Sequence, residues 1–385
     1  MKKFTVKTII LTFLPFVLIY PELSAQYIKK PADEAQAFDI KVSGGGTFFI
    51  YGTPESNVDE SKDKSKSGVY IADFKLEKGL KNGGKIAASL KGGFGNGLSG
   101  TVETYADFPS FTAGEIECIK ITELYYQQSF FNNKLTLNFG KLNFGSYFAG
   151  NRYSKDKSSQ FITSIFSGDT IIETPPQKVA LNLCYSLSDR FDLSYGCYAS
   201  SLNDITANLM HAAQINYKPS DKGNYKLYYW YNNSIHYSCK NMSSKFGNFG
   251  FGISADHELN KFIGIFGRFS CKDFSTAVIK NGKPALDKPT LSWNLGLQIQ
   301  GTAWLRKNDI VGFAIGQVYG SSEFEKLDDD YESGNETVCE LYYKIGVNEH
   351  ISITPSLEYF INPEGGNTDF DNNVFVSGIR IRFNF

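Results

Sequence analysis

Apolar and polar positions alternate with a period of two over most of the chain. In the last segment Phe375, Ser377, Ile379, Ile381, Phe383 and Phe385 share one parity, and Gly378, Arg380, Arg382 and Asn384 share the other. Ile351, Ile353, Pro355, Leu357, Tyr359 and Ile361 alternate in the same way with Ser352, Thr354, Ser356 and Glu358, and Trp293, Leu295, Leu297 and Ile299 with Asn294, Gly296, Gln298 and Gln300. A period of two is that of a β-strand whose two faces meet different surroundings. The same template marks sixteen candidate strands, at 38–52, 67–77, 83–93, 117–130, 132–144, 177–187, 190–199, 209–218, 223–232, 247–258, 261–270, 291–301, 309–319, 337–347, 350–361 and 373–385.

The connections sort into two kinds. Those after even strands are tight, as at Asn132, Leu187-Ser188-Asp189, Leu259-Asn260 and Asn348-Glu349. Those after odd strands are generally longer: 53–66, 94–116, 145–176, 233–246, 271–290, 320–336 and 362–372. Alternating short turns and long loops, with an even strand count, predict an all-β protein: a transmembrane antiparallel up-and-down β-barrel of about sixteen strands, with periplasmic turns and extracellular loops. Closure leaves no strand edge unpaired in lipid. About sixteen strands enclose a wet channel and not a side-chain-filled core.

The N-terminus has a separate layout. Lys2, Lys3 and Lys7 precede the apolar stretch Ile9 to Tyr20 and then Leu23-Ser24-Ala25, the pattern of a secretory signal peptide. About a dozen apolar residues fall short of the ~20 that a spanning helix needs. The expected organisation is a signal peptide at 1–25, a short periplasmic segment at 26–37 and an outer-membrane barrel at 38–385, in a Gram-negative-type bacterium. No later apolar run approaches ~18 residues, which excludes a helical membrane protein.

Composition agrees: 36 Gly, 32 Phe and 23 Tyr against three Met is strand chemistry. Without its leader the chain carries 36 basic and 39 acidic residues, scattered along its length, so no basic stripe for a nucleic acid is present.

Candidate chemistry falls in two places. The longest loop, 145–176, follows the fifth strand and carries Arg152, Lys155, Asp156, Lys157, Gln160, Asp169 and Glu173 with Tyr147, Phe148, Tyr153 and Phe161. A loop of this length is usually functional. Folded inward it constricts the lumen; lying across the mouth is the alternative. Lumen parity collects Glu123, Tyr125, Gln127, Lys226, Asp256, Arg268, Glu340, Tyr342, Lys344, Glu358, Arg380 and Arg382. Both signs of charge and flat tyrosine faces suit a solute rich in hydroxyls, although a wet lumen is polar for any purpose.

Other features carry less. Gly95-Asn96-Gly97-Leu98-Ser99-Gly100 has dinucleotide-fingerprint spacing without a βαβ unit, and reads as a loop tip. Asp328-Asp329-Asp330 with Glu332 lacks ordered ligand spacing. His211, His236, His257 and His350 show no metal-like pairing, and no nucleophile motif is present. No catalytic residue, metal or cofactor is expected. Cys118, Cys184, Cys197, Cys239, Cys271 and Cys339 lack CxxC spacing, in a compartment that permits disulfides. Cross-linking within or between barrels is one reading of their number.

Two blocks resemble the carbohydrate-selective porins of the OprB type. One runs from Glu123-Leu124-Tyr125-Tyr126-Gln127-Gln128 through Leu135-Thr136-Leu137-Asn138-Phe139-Gly140-Lys141-Leu142-Asn143 to Gln160-Phe161. The other comprises Ser292-Trp293-Asn294-Leu295-Gly296-Leu297-Gln298, Arg306, Asp309, Glu340-Leu341-Tyr342-Tyr343-Lys344, and Thr354-Pro355 through Tyr359 to Asn362-Pro363. The resemblance implies a sixteen-stranded pore passing monosaccharides, glucose-like sugars in particular, through a channel lined by Arg and acidic side chains. It carries over to Glu123, Glu340, Glu358, Arg380 and Arg382. Residues 190–290 show no such match, and the segment from Gln26 to Ala37 is too short for the N-terminal wall-binding domain of some relatives.

The resulting expectation is a porin allowing passive diffusion of small sugars or other hydrophilic solutes, embedded in outer-membrane lipid as a monomer or homotrimer. A general or anion-tolerant porin and a disulfide-linked structural or adhesive barrel are the alternatives. Solute contact is expected from Glu123, Tyr125, Arg268, Glu340, Lys344, Glu358, Arg380 and Arg382, and constriction from Arg152, Lys155 and Asp156.

Overall fold

The computed structural model describes residues 40–54, 66–81, 83–95, 97–98, 102–109, 118–175, 179–199, 208–280, 282–286, 288–367 and 373–385. The expected signal peptide and the segment 26–37 lie outside the described residues.

The strands in chain order are β1 (Ile40–Gly52), β2 (Lys66–Gly79), β3 (Lys85–Phe94), β4 (Cys118–Phe130), β5 (Leu135–Lys141), β6 (Val179–Ser188), β7 (Phe191–Ala199), β8 (Leu209–Tyr217), β9 (Gly223–Ser238), β10 (Ser244–Glu258) and β11 (Ile263–Lys272). There follow β12 (Thr276–Lys280), β13 (Lys283–Ala285), β14 (Leu291–Gln300), β15 (Ile310–Tyr319), β16 (Asn335–Gly346), β17 (Ile351–Ile361) and β18 (Val374–Asn384). Among the described residues β12 and β13 form a small hairpin, and the other sixteen strands make one closed antiparallel barrel. Closure is direct. β18 returns to β1 in unbroken register from Gly45 opposite Asn384 to Gly52 opposite Ser377, so each backbone group in the seam finds a partner where lipid offers none.

Period-two patterning sets which face meets lipid. On β18, Phe375 and Ile379 are exposed while Val374, Val376, Arg380 and Arg382 are buried. Leu295 is 58% exposed, Leu227 53% and Ile50 60%. An outer surface this apolar on every strand is stable against lipid and not against water.

Three local departures from the sequence pattern have visible causes. The strand expected at 132–144 narrows to β5, because Phe131, Asn132 and Asn133 adopt left-handed backbone and make a longer turn. At its other end Asn143 caps a short helical turn, Phe144–Ser146, that steers the chain inward. β9 runs six residues beyond its expected end because β10 starts early and pairs with it from Ser244 opposite Tyr237, and β12 adds Thr276 opposite Ser238 and Ala277 opposite Tyr237. The third departure, β12 with β13, thus lies inside what reads in sequence as the plain loop 271–290.

The lumen is not simply wet. Phe49, Tyr51, Val318, Val338, Phe360, Val374 and Val376 sit on the inward parity and are buried against Leu98, Val102, Ala106 and Phe108 of the loop after β3, and against Phe161, Ile162, Ile165 and Phe166 of the loop after β5. A second interior cluster packs Phe144, Phe148 and Ile172 of the latter loop against Tyr198, Tyr228 and Trp230 of the wall. Two loops therefore fold into the barrel and make it a partly filled cylinder. Within the stretch read as a loop tip, Leu98 is fully buried and not exposed at the mouth.

Candidate functional site

The loop after β5 descends through the lumen, and the wall meets it with polar side chains at nearly every step. Gln214 accepts from the Ala149 N–H at 3.0 Å, and Lys226 Nζ donates to the Gly150 carbonyl at 2.5 Å. Asp256 accepts the Arg152 N–H at 3.0 Å, and the Arg152 guanidinium donates to the Asp221 carbonyl, in the turn between β8 and β9, at 2.8 Å. Arg152 is thus the loop's low point, at the short-turn end of the barrel. The chain then climbs. Gln298 donates to the Tyr153 carbonyl at 2.7 Å, Arg380 to the carbonyls of Lys157 and Gln160 at 2.7 and 2.6 Å, and Asn294 to the Ile165 carbonyl at 2.6 Å.

Two wall residues hold larger pieces of it. Glu340 accepts the N–H of Ile162 at 2.7 Å, that of Thr163 at 3.1 Å and the Thr163 hydroxyl at 2.8 Å. Arg268 donates to Ala149 on the descending limb, at 3.3 Å, and to Ser154, Phe166 and Gly168 on the ascending limb, at 3.3, 3.2 and 2.5 Å. Asp169 then accepts from Tyr228 at 2.5 Å and Ser270 at 2.8 Å.

The loop's last anchor is Glu173, which receives His236 Nε2 at 3.0 Å, Asn232 at 2.9 Å, Asn248 at 2.5 Å and Lys272 Nζ at 3.3 Å. Burial by itself raises a carboxyl pKa, but the His236 hydrogen bond and the Lys272 charge outweigh it and hold Glu173 at about 2.

These contacts change the role of the residues that lumen parity selects. Arg268, Glu340 and Arg380 are at most 4% exposed and are engaged by the loop and not by a solute stream, and Glu358 is buried beside them. Arg382 is spent on Asp73, Thr47 and Asn384. Glu123 accepts from Ser89, Ser146 and the Asn143 N–H, at the point where the loop leaves β5. Tyr125 packs on the second interior cluster, and Lys344 remains half-buried on the lumen face. Of the loop residues, Lys155 is exposed, whereas the Asp156 carboxylate is taken up by Ser158 and Ser159. Burial opposes its ionisation, yet those hydrogen bonds hold its pKa below the usual range.

Sequence reasoning did not find the second inward loop. Glu336, fully buried, accepts the N–H groups of Tyr105 and Ala106 at 2.8 and 3.0 Å and that of Glu364 at 2.8 Å, tying two long loops to the rim. The available signal was a run of apolar residues, Leu98, Val102 and Phe108, in a segment otherwise patterned as loop. Intramolecular cross-linking is corrected for five cysteines: Cys184, Cys197, Cys239, Cys271 and Cys339 are free. Among the described residues no cluster of His, Cys, Asp and Glu could hold a metal ion.

A closed sixteen-stranded barrel with a lipid-facing apolar exterior and loops folded into its lumen defines an outer-membrane porin, a class of channels and not of enzymes. Within that class the chain belongs to the carbohydrate-selective porin, OprB family, whose model matches residues 70–385. It is 20% identical over 320 residues to Porin B of Pseudomonas aeruginosa, covering 68% of this chain and 67% of that protein. Among solved structures it is similar to the high-pH structure of Pseudomonas putida OprB, with a TM-score of 0.74 and 17% identity over 90% of this chain and 94% of that one. A mutant of the Rh. blastica porin is similar at a TM-score of 0.55 and 11% identity, over 90% of this chain and all of the other. The family places the protein in the outer membrane of a Gram-negative bacterium, as a porin for sugar diffusion.

Proposed function

We propose that the protein passes small neutral sugars, monosaccharides in preference to other solutes of their size, down their concentration gradient. The observation that carries this reading is the pairing of family membership with a lumen narrowed by two inward loops. Width excludes large solutes. Hydroxyl-bearing ones gain from donors and acceptors of both signs in weak, reversible contacts, since conduction requires binding that also releases. No covalent step, cofactor or energy input enters. Residues 1–25 serve as the export leader, so the mature protein begins at Gln26, which N-terminal sequencing checks.

Liposome swelling tests the preference. Proteoliposomes are expected to swell faster in glucose than in amino acids or monovalent organic anions of similar size. Equal rates for all three would leave a pore without sugar preference.

A further inference from the structure

The loop covers Arg268, Glu340 and Arg380, and further accessible polar chemistry lies beneath it. At the short-turn end of the barrel, Arg152 separates two cavities of about 420 and 360 Å³. The larger is lined by three cations, Arg152, Arg190 and Lys218, with Asp189 and Asp221, and contains no aromatic side chain. The smaller differs in kind. It is lined by Tyr153 from the loop, Phe262 from the turn between β10 and β11, and Arg152, Glu258, Lys261 and Gln300.

We propose that this smaller bay is a binding site for a single monosaccharide at the periplasmic exit of the pore. The proposal rests on the sugar-porin reading. Its volume lies at the low end of the ~300–1,000 Å³ typical of small-molecule sites and is sufficient for one sugar ring. Half-buried Phe262 supplies apolar area of the kind that the C–H face of a pyranose requires, with largely buried Tyr153 forming the bay's inner wall. The Tyr153 ring is seated against Gly264, where a Cβ would come within 2.1 Å of it, so a glycine in the wall makes room for the aromatic.

The polar groups divide between those already used and those still open. Gln298 is committed to the Tyr153 carbonyl and the Tyr342 hydroxyl, both at 2.7 Å. The Glu258 carboxylate and the Gln300 side-chain amide are half-buried and make no hydrogen bond among the described residues. Lys261 Nζ sits 4.8 Å from the Phe262 ring centroid and places a cationic donor on the same bay. A hydroxyl both donates and accepts, so an acceptor carboxylate, an amide of both kinds and cationic donors around one cavity suit a neutral polyol better than an ion of either sign.

The test is glucose block of single-channel current in a planar bilayer, with Phe262→Ala, Glu258→Gln and, in the other cavity, Arg190→Gln. Heat-modifiable gel migration verifies that each variant is a folded barrel. Phe262→Ala and Glu258→Gln are expected to weaken glucose block roughly fivefold each, with Arg190→Gln like wild type. Block that survives both bay substitutions, or weakens equally in Arg190→Gln, overturns the site alone. A wild-type channel that glucose never blocks overturns the sugar reading and the site with it.

Discussion

Glu340 and Glu358 stand directly opposite each other on β16 and β17, both fully buried, yet the loop answers only one of them. Glu340 takes three hydrogen bonds from Ile162 and Thr163, whereas neither carboxylate oxygen of Glu358 has a partner among the described residues. The same substitution should therefore act in opposite directions. Glu340→Gln sets an amide NH₂ against donors and is expected to cost about 1–3 kcal/mol and to raise conductance as the loop loosens. Glu358→Gln replaces a buried carboxyl whose oxygens have no hydrogen-bond partner among the described residues, and is expected to be neutral or stabilising. Thermal unfolding in detergent with single-channel recording checks both.

Arg268 holds the two limbs of the constricting loop together through four carbonyl oxygens and no carboxylate. A planar guanidinium presents five donors in a fixed fork, while an ammonium is a compact charge on a flexible stem. Arg268→Lys keeps the charge but not the fork. It is expected to let the limbs separate, raising the largest sugar admitted in liposome swelling. An unchanged size limit would mean that the apolar packing of Phe161 and Phe166 holds the loop by itself.

Strand positions were legible because lipid on one side and the interior on the other impose a strict period of two. Every candidate strand from 38–52 to 373–385 has a counterpart within a few residues, apart from the extension of β9. What the interior contains was not legible by the same means. Parity shows that Arg268, Glu340 and Arg380 point inward, but not whether water or another segment meets them. That depends on contacts between residues more than a hundred positions apart, such as Ile162 with Glu340. Phe49, Phe360 and Val376 on the inward face, with Leu98, Val102 and Phe108 in the loop after β3, were the sequence signs that something apolar covers the wall.

Glu173 gives the loop's upper end a defined pH response. Its carboxyl lies at about 2 in the folded protein against an ordinary value of 4.5. A depressed carboxyl contributes stability that is full above the ordinary value and is lost as pH falls through the folded one. The Glu173 contribution is thus expected to be constant from pH 7 to about 5 and to give a conductance step between about pH 4 and 2, as His236 and Lys272 lose their counter-charge. In Glu173→Gln that acid step should be absent. A step of equal size in the variant would assign it to another carboxylate.

Arg382 and Asp73 bridge the seam of the barrel, reaching from β18 over β1 to β2. Both terminal nitrogens of the guanidinium donate to the two carboxylate oxygens, Nη1 also meets the Thr47 hydroxyl at 2.8 Å, and Nε meets Asn384 at 2.6 Å. A Cβ at Gly45 would lie 2.0 Å from the Phe383 carbonyl oxygen and 2.9 Å from the guanidinium carbon, so β1 carries a glycine where β18 and this cation press on it. The two side chains are unequally shielded, 10% exposed for Arg382 and 32% for Asp73. Asp73→Ala strands the more buried charge, whereas Arg382→Ala leaves a carboxylate that water can reach. Asp73→Ala is therefore expected to destabilise the barrel more, with a coupling of roughly 1 kcal/mol in a double-mutant cycle once solvent screening at Asp73 is allowed for. Arg382→Ala should leave glucose block unchanged, because the arginine is consumed by the seam. A loss of block there, with unfolding temperature unaltered, would return Arg382 to the solute path.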